Sequence, residues 1–512
     1  MTAMTIKEIS NWIQQAAPQG QLASDSRRIK AGDVFFAYPG EAGDGRGYIA
    51  AAIAQGAAAV VYEEQGASWD AAWNVPHLAV AGLKKQAGPI AHAFYAMPDS
   101  AMFTAGVTGT NGKTSCAVWL GQALSRLGDV TAVVGTLGVG LFRPRAEAEF
   151  DVTGYTTPDA VLLARKLAES RDEGAAALAI EVSSIGLDQE RAAGMHFDAA
   201  IFTNLTRDHL DYHGDLENYE AAKAKLFAWP GLKHAVINLD DAAGLRLVAH
   251  VKANNPATAI TGYTLADAAT LADIAGVSML RAGQLRSRSL GTEFQLESAQ
   301  GAATVKTQLV GQFNVSNALA VLGTLLAKGA PLRAAVEAIE ALVPAPGRMQ
   351  QVGGQDAPMI IIDYAHTPDA LEKTLETLRL VAQERGGQLW CVFGCGGDRD
   401  PGKRPQMGRI AQMADHVLVT SDNPRSEDPH QIIAQIVAGM DRNHPSSVFQ
   451  TVEDRAAAIL SAIKHAAKPD VILLAGKGHE PYQEIKGKKL QFSDADHAQL
   501  ALSARLTMMR PN

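Results

Sequence analysis

Residues 102–114 read MFTAGVTGTNGKT, an apolar segment that runs into a glycine-rich loop ending in Lys113 and Thr114. Residues 114–127 then carry apolar side chains with helical spacing. A strand, a glycine-rich loop and a helix in this order direct backbone N–H groups and the positive end of the helix dipole at one point, which favours a bound phosphate. The stretch therefore predicts a nucleotide site, with Lys113 on the β- and γ-phosphates and the Thr114 hydroxyl on Mg²⁺.

The match to a Walker A loop is incomplete, because Val107 stands where that motif has a glycine and Gly106 lies one residue early. An incidental glycine-rich turn is the alternative interpretation. The strand before the loop and the helix after it favour the nucleotide site, although such a loop alone does not identify a reaction. The candidate ATP contacts in this segment are Gly109, Thr110, Asn111, Gly112, Lys113, Thr114 and Ser115.

Apolar strands alternate with helical segments along the chain, which predicts an α/β fold with mostly parallel sheets and crossover helices. Short apolar segments and glycine-rich turns fill the first hundred residues, and the run VPAPG at 343–347 breaks the pattern and predicts a hinge. We assign the ranges 1–102, 103–343 and 344–512 to three domains. The central domain is expected to be P-loop-like and the C-terminal domain Rossmann-like.

The composition excludes several classes of protein. The 512 residues are 47% hydrophobic and 20% charged with a net charge of −8, which argues against bulk nucleic-acid binding. The cysteines, Cys116, Cys391 and Cys395, are too sparse for a disulfide framework. The N-terminus lacks a signal-peptide pattern, and no apolar run approaches a membrane span. We expect a cytoplasmic protein with free thiols, no membrane insertion and a monomeric state by default.

Three side chains downstream of the loop are candidates for catalysis. Glu181 follows an apolar strand, so its carboxylate would lie beside the phosphate loop and suit Mg²⁺; the alternative is a helix N-cap acid. His209 is a candidate second metal ligand, or a structural hydrogen-bonding residue. Lys223 lies among apolar and aromatic neighbours, and the alternative for it is a lysine that reaches out to solvent.

Short motifs follow one another along essentially the whole chain, and their order resembles the Mur ligase family. After the loop GTNGKT, they are EVSS at 181–184, FTNLT at 202–206, DHLDYHG at 208–214, YEAAK at 219–223, GQFNVSN at 311–317, PGRM at 346–349, DYAHTPD at 363–369, GCGGDR at 394–399, DNPR at 422–425 and GKGHE at 476–480. Each motif alone is weak, and their number and order make coincidence a poor explanation.

The resemblance implies an ATP-dependent ligase that activates a carboxylate as an acyl phosphate and then forms a peptide bond. It implies catalytic roles for Lys113, Glu181, His209 and Lys223, and a CO₂-derived carbamate on Lys223. A lysine with a depressed pKa has the neutral amine that takes up CO₂. The expected metal ligands are Thr114, Glu181, His209 and carbamylated Lys223. Further expected ATP contacts are Asn314, Arg348, Asp363 and His366, with a hinge-positioning salt bridge as the alternative for Arg348.

The family's nucleotide-sugar substrate would be UDP-N-acetylmuramoyl-L-alanyl-D-glutamate. The matching positions are Ser26, Glu41, Ala42, Gly43, Thr156, Thr157, Ser183, Gln189 and Arg191. We expect Thr156 and Thr157 to start a helix whose N–H groups suit an anionic peptide group. Tyr155 and Ile185 depart from the family pattern, which commonly has Asn and His there, so we expect the sugar-side contacts to differ from those of the family.

The motif DNPR accompanies meso-2,6-diaminopimelate as the incoming amino acid in this family. Arg425 suits bidentate binding of the distal carboxylate, whereas Asp422, Asn423 and Glu480 are acceptors for the distal ammonium. Arg399 would hold another carboxylate. The complete predicted set is Arg399, Asp422, Asn423, Pro424, Arg425, Gly476 and Glu480. An Asn-Pro turn with a surface ion pair is the alternative.

Three rival functions stay open on the sequence alone. The same ligase could add L-lysine, which lacks the distal carboxylate. Folylpolyglutamate synthases share the loop GTNGKT, but the motifs DHLDYHG and DNPR fit them poorly. A nucleotide-dependent switch without ligation would not need Lys223, the acidic and basic clamp, and a uridine-binding domain together.

Overall fold

The computed structural model describes residues 4–40, 43–144, 146, 148–288, 291–354, 356–445 and 447–508. The described chain forms three α/β units, each built on its own sheet of four, eleven or six strands. Apolar clusters cover both faces of each sheet, as parallel sheets require. The α/β class and the three-unit architecture predicted from the sequence are confirmed. The domain boundaries at 102/103 and 343/344 stay a prediction.

The N-terminal unit has a four-stranded parallel sheet in the order β1-β2-β3-β4. Its elements are α1 (Ile6–Ala16), β1 (Leu22–Ala23), β2 (Val34–Ala37), α2 (Ile49–Ala54), β3 (Ala59–Glu63), β4 (His77–Val80) and α3 (Leu83–Phe94). A capping box starts α1, because the Thr5 hydroxyl accepts from the Glu8 amide while the Glu8 carboxylate accepts from the Thr5 amide.

The central unit has an eleven-stranded sheet in the order β15-β14-β13-β12-β11-β10-β5-β9-β6-β7-β8. Its strands are β5 (Phe103–Thr108), β6 (Thr131–Gly135), β7 (Gly138–Phe142), β8 (Phe150–Asp151), β9 (Ala177–Glu181), β10 (Ala199–Phe202), β11 (His234–Asn238), β12 (Ala259–Thr264), β13 (Val277–Arg288), β14 (Gly291–Ser298) and β15 (Gly301–Thr307). Its helices are α4 (Lys113–Arg126), α5 (Ala160–Asp172), α6 (Ser184–Asp188), α7 (Leu210–His213), α8 (Leu216–Ala224), α9 (Ala242–Asn254), α10 (Gln312–Ala327) and α11 (Leu332–Glu340).

Strand β5 pairs in parallel with both β9 and β10, which follow it on opposite sides. The chain order therefore reverses at β5, and parallel sheets bind ligands beyond the carboxyl ends of strands at such a point. The predicted parallel character holds from β6 to β13. Antiparallel strands extend the sheet at both edges, which the sequence interpretation did not foresee.

The C-terminal unit has a six-stranded sheet in the order β16-β17-β21-β18-β19-β20, parallel except for β16 at one edge. Its elements are β16 (Gln350–Gly353), β17 (Met359–Asp363), α12 (Pro368–Arg385), β18 (Leu389–Phe393), α13 (Lys403–Ala411), β19 (His416–Val419), α14 (Pro429–Val437), β20 (Val448–Thr451), α15 (Arg455–His465), β21 (Val471–Ala475), the hairpin β22 (Tyr482–Ile485) and β23 (Lys488–Gln491), and α16 (Asp494–Met508). This arrangement confirms the Rossmann-like prediction.

Two local predictions need correction. Thr156 and Thr157 do not start a helix: α5 begins at Ala160, and its N-cap is Asp159, whose carboxylate accepts from the amides of Val161 and Leu162. An aspartate one residue before the apolar run is the stronger cap, so the two threonines stay in the preceding loop. Helix α12 runs past the expected end near Val381 to a left-handed glycine, Gly386.

A buried carboxylate joins the N-terminal unit to the central unit. Asp99 is fully buried, and its two oxygens lie 3.1 Å from His92 Nδ1 on α3 and 2.9 Å from His196 Nδ1 before β10. His196 Nε2 also lies 3.4 Å from an oxygen of Asp198, which pairs with Lys233. The hydrogen bonds to Asp198 and Asp99 raise the pKa of His196 to about 9, so this ring is positively charged at neutral pH.

We predict that His196→Gln destabilises the protein by roughly 1 kcal/mol at pH 6, a modest value because the His196 side chain is partly exposed. The folded-state pKa of His196 lies above its unfolded value of 6.5, so its contribution is complete below pH 6.5 and is lost as pH rises through about 9. Urea unfolding of both proteins between pH 6 and pH 10 measures this. A stability difference that grows with pH would contradict the account.

Candidate active site

The loop between β5 and α4 has the backbone that a phosphate site needs. Gly109 and Gly112 take positive φ angles of +147° and +90°, and a Cβ on Gly109 would collide with the Thr203 hydroxyl. Only glycine fits both the conformation and this close approach. Lys113 starts α4 and lies across its own loop, with Nζ donating to the carbonyls of Gly109 and Thr110 at 2.9 and 2.8 Å. The predicted loop therefore forms as expected.

A cavity of about 860 Å³ opens above this loop, between the central unit and the C-terminal unit. It brings together most of the residues predicted for ATP, metal and catalysis, from both units. The predicted residues that line it are Thr110, Asn111, Gly112, Lys113, Thr114, Ser115, Thr156, Glu181, Ser183, His209, Lys223, Asn314, Arg348, Asp363 and His366.

The Glu181 carboxylate is buried at the carboxyl end of β9 and accepts three hydrogen bonds from neutral groups. One comes from the Thr114 hydroxyl at 3.0 Å, and two come from the amide and hydroxyl of Thr136. Within the described residues no basic side chain pairs with it. Ser183, not Glu181, caps α6, so the helix-cap alternative is wrong. A buried carboxylate beside a hydroxyl and a phosphate loop fits a Mg²⁺ ion.

His209 lines the same cavity as Glu181, but its contact partners are different. Its Nε2 is 3.5 Å from the Asp208 carboxylate, and burial lowers the pKa of the ring. The described part of the chain contains no cluster of three His, Cys, Asp or Glu side chains placed to hold a metal by themselves. The metal role of His209 therefore stays a prediction, and any metal site here needs ligands from a substrate, water or a modified side chain.

The Lys223 amine is buried against the phosphate loop. Its Nζ donates to the Gly109 carbonyl at 2.9 Å and lies 4.0 Å from the centre of the Tyr219 ring. Burial and then the nearby Lys113 charge lower the pKa of Lys223 well below its usual value. The ring favours an ammonium, but one carbonyl and one ring replace only part of the lost hydration, so burial shifts the amine towards its neutral form. The side chain does not reach solvent, and that alternative is wrong.

Arg348 connects the linker of the C-terminal unit to the phosphate loop. Its Nη2 donates to the Thr114 hydroxyl at 3.1 Å, and its guanidinium lies 4.3 Å from the centre of the Tyr364 ring. Its Nη1 is buried without a hydrogen-bond partner in the described structure. An unpartnered buried N–H of a cation, aimed at a phosphate loop, suits an anion. No ion pair of Arg348 occurs among the described residues, so the salt-bridge alternative is not supported.

The other residues predicted to contact ATP also line the cavity, and their side chains make hydrogen bonds to the protein backbone. The Asp363 oxygens accept from the amides of Met349 and Ala365, which ties the linker to the end of β17. Burial and then the Lys403 charge lower the pKa of His366 to about 4, so its ring is neutral. Asn314 donates to the Val310 carbonyl. The assignment of these three residues to ATP stays a prediction.

The residues predicted for the nucleotide sugar and its peptide form a network next to Glu181. Arg191 donates to the Thr157 carbonyl and to Gln189 Oε1, both at 2.9 Å. The Thr157 hydroxyl donates to the Glu181 carbonyl at 2.9 Å and lies 3.2 Å from the Ser183 hydroxyl. This network places the predicted peptide-binding side chains beside the phosphate loop.

The sugar side departs from the family pattern in a visible way. The ring of Tyr155 lies 5.3 Å from the Arg191 guanidinium, so this tyrosine stacks on a predicted contact residue. Farther out, Ser26 starts a short 3₁₀ turn, and the Gly43 carbonyl accepts from the Gly40 amide. Glu41 and Ala42 lie outside the described residues.

The predicted amino-acid site lies at the carboxyl ends of β18, β19 and β21, outside the lining of the main cavity. Asn423 Nδ2 donates to Glu480 Oε2 at 2.8 Å. Arg425 donates to the Gly397 carbonyl at 2.7 Å, and its Nε lies 3.4 Å from Glu484. The predicted motif of Asp422, Asn423, Pro424 and Arg425 therefore lies against the loop of Gly476 and Glu480. Arg399 is exposed nearby and donates to the Asp398 carbonyl.

Three residues in these sites carried no role in the sequence interpretation. Thr136 supports Glu181, Tyr364 stacks on Arg348, and Lys477 lies inside the acidic cluster of the amino-acid site. Lys477 had a usable signal, because it stands between two glycines directly after an apolar strand and three residues before Glu480. The Thr136 hydroxyl and the Tyr364 ring had no comparable signal in the sequence.

The chain belongs to the Mur ligase family. Its residues 21–95 match the model described as Mur ligase family, catalytic domain; residues 107–325 match the Mur ligase middle domain; and residues 347–478 match the Mur ligase, glutamate ligase domain. These three matches follow the three sheets in order. Among the described residues no helix is both long and apolar enough to cross a membrane.

Individual relatives carry a more specific name. A protein of Janthinobacterium sp. (strain Marseille), named UDP-N-acetylmuramoyl-L-alanyl-D-glutamate–2,6-diaminopimelate ligase, is 63% identical over 506 residues, or 99% of this chain and 98% of the relative. A protein of the same name from Ralstonia nicotianae is 51% identical, covering 98% and 97% of the two chains.

Solved structures show the same fold. A solved structure that is also named UDP-N-acetylmuramoyl-L-alanyl-D-glutamate–2,6-diaminopimelate ligase matches this chain with a TM-score of 0.65 and 36% identity, covering 95% of both chains. A MurF ligase of Thermotoga maritima in complex with ADP matches with a TM-score of 0.66 over 96% of this chain and 99% of the other. Its identity is 17%, so it supports the fold alone.

Proposed function

We propose that this protein is an ATP-dependent ligase that adds meso-2,6-diaminopimelate to the D-glutamate of UDP-N-acetylmuramoyl-L-alanyl-D-glutamate. The observation that carries the proposal is the cavity in which Lys113, Glu181, Lys223 and Arg348 face one space above a phosphate loop. The relatives' shared name supplies the substrates. The reaction belongs to peptidoglycan precursor synthesis in the cytoplasm, and we propose that the protein acts as a monomer.

ATP would place its phosphates on the loop that runs from Gly109 to Ser115. The free amides at the start of α4 and the Lys113 ammonium would bind the β- and γ-phosphates. The Thr114 hydroxyl and the Glu181 carboxylate would hold Mg²⁺, which supplies charge neutralisation on the transferred phosphoryl group. Arg348 would then turn its unpartnered Nη1 towards the γ-phosphate as the C-terminal unit closes.

Lys223 fits the carbamate that the family resemblance implies. Burial lowers the pKa of its amine and so favours the neutral form, which is the form that attacks CO₂. The carbamate would be a carboxylate-like oxygen ligand in the cavity that the buried Glu181 carboxylate also lines. This chain's residues would thereby provide oxygen ligands on both sides of the phosphate loop.

The reaction follows from these positions. A carboxylate oxygen of the D-glutamate attacks the γ-phosphorus, the bond from phosphorus to the β–γ bridging oxygen breaks, and ADP leaves. Lys113 and Arg348 offset the negative charge of this transfer. The amine of the incoming amino acid then attacks the acyl carbon and loses a proton, and phosphate leaves with the former carboxylate oxygen. Closure of the C-terminal unit excludes water, which would otherwise hydrolyse the acyl phosphate.

The choice of diaminopimelate over L-lysine rests on Arg425. Its backbone takes a positive φ of 51°, and the Gly397 carbonyl fixes one of its guanidinium nitrogens. A fixed guanidinium can hold a carboxylate through two parallel hydrogen bonds, and only diaminopimelate has a carboxylate at its distal end. Asp422, Asn423 and Glu480 then face the distal ammonium.

Phosphate release with ATP, Mg²⁺, the UDP-muramoyl dipeptide and one amino acid at a time tests the proposal. We expect release that depends on meso-diaminopimelate, with a kcat/KM for L-lysine lower by at least about 100-fold. Folylpolyglutamate synthesis is checked in parallel with a folate and L-glutamate. Release that requires L-lysine would contradict the amino-acid assignment, and release with none of the substrates would contradict the ligase.

Lys223→Ala should lower kcat by at least about 100-fold, because it removes both the amine and its carbamate. Acetate or another short carboxylate should restore part of the activity by occupying the vacated space. The matched control is Lys225→Ala, since Lys225 lies two residues away, is half exposed and pairs with Asp188. Near-normal activity of Lys223→Ala without added carboxylate would remove Lys223 from the mechanism.

A further inference from the structure

The amino-acid site contains a buried lysine. Lys477 follows β21 and is completely buried, and its Nζ lies 3.1 Å from both Asn423 Oδ1 and Glu480 Oε2. The Asp422 carboxylate is 3.9 Å from the same nitrogen. Three groups predicted to accept from a substrate ammonium thus already surround an ammonium of the protein.

The loop that carries this lysine is fixed by its glycines. Gly476 has a φ of +107°, and a Cβ there would approach the Asp422 carboxylate to 2.6 Å. Gly478 has a φ of +52°, and a Cβ there would approach the Gly347 carbonyl to 2.8 Å. Close packing on both sides fixes the backbone that carries Lys477. Its completely buried side chain is then held by the contacts of its amine with Asn423 and Glu480.

The position of Lys477 changes the charge that the site offers. Asp422 and Glu480 together carry two negative charges, and the Lys477 ammonium cancels one of them. Arg425 adds a positive charge at the other end of the site, with Glu484 3.4 Å from its Nε. In a poorly solvated site such charges interact strongly, so one uncompensated charge changes which ligand fits.

We propose that Lys477 is a specificity-determining residue that adjusts the amino-acid site to a zwitterionic distal group and against a lone ammonium. This inference rests on the proposed function. With Lys477 present, the site has one net acceptor charge for the distal ammonium and Arg425 for the distal carboxylate. Without it, two uncompensated carboxylates repel the substrate carboxylate and attract a lone ammonium, which L-lysine supplies.

The experiment compares kcat/KM for meso-diaminopimelate and for L-lysine in wild type and Lys477→Met. We expect the ratio of kcat/KM for meso-diaminopimelate to kcat/KM for L-lysine to fall by roughly tenfold or more in Lys477→Met. The change should arise mainly from the KM of diaminopimelate, while the KM of ATP stays within about twofold. Lys468→Met is the matched control, because Lys468 lies in the same unit, is exposed and pairs only with Asp356 among the described residues. Its ratio should equal that of wild type.

Charge compensation distinguishes specificity from damage to the fold. Glu480→Gln alone should raise the ratio, because it leaves Lys477 to repel a lone ammonium. The double variant Lys477→Met/Glu480→Gln restores the net charge and should bring the ratio back towards wild type. If Lys477→Met does not fold, Glu480→Gln decides: a ratio that does not rise overturns the proposal.

Failure of the inference is separate from failure of the proposed function. If wild type uses neither amino acid, the ligase assignment is wrong and the variants have no bearing on it. If wild type uses diaminopimelate and a folded Lys477→Met variant keeps the wild-type ratio, Lys477 does not determine specificity.

Discussion

The contact between Arg348 and Thr114 is the interaction on which the rest of the site depends. One guanidinium nitrogen donates across the junction of two units to a hydroxyl of the phosphate loop, and the other is buried without a partner in the described structure. Stacking on Tyr364 and the Asp363 bonds to the linker fix the arginine on the C-terminal side. In the proposed mechanism phosphoryl transfer needs this cation at the loop, so closure of the C-terminal unit and catalysis would be linked.

The sequence predicted the elements that chemistry constrains most. The strand, loop and helix at residues 102–127 were recognised because glycines and a lysine at this spacing have one common use. The support that Thr136 gives to Glu181 was missed, because it depends on a contact between strands far apart in sequence that periodicity does not reveal, whereas Lys477 was overlooked despite the glycines on either side of it. Thr156 and Thr157 were wrongly placed at the start of a helix, because the N-cap Asp159 holds them in the loop before α5.

The segment that carries Arg348 packs against the segment that carries Lys477. Gly347 of the linker packs against the loop of Gly478 and His479, so Arg348 and Lys477 extend from segments in direct contact. Burial and the Arg348 charge lower the pKa of His479 to about 4, which keeps this ring neutral beside the arginine. The linker before the phosphate site and the loop of the amino-acid site are therefore in direct, close contact.

The central claim is that a substrate carboxylate is activated by direct phosphoryl transfer in this cavity. The most direct measurement uses the UDP-muramoyl dipeptide with oxygen-18 in the D-glutamate carboxylate, followed by mass analysis of the phosphate released during ligation. Our account predicts that the label passes from the carboxylate to inorganic phosphate, with ADP as the nucleotide product. Unlabelled phosphate, or label in AMP, would contradict it.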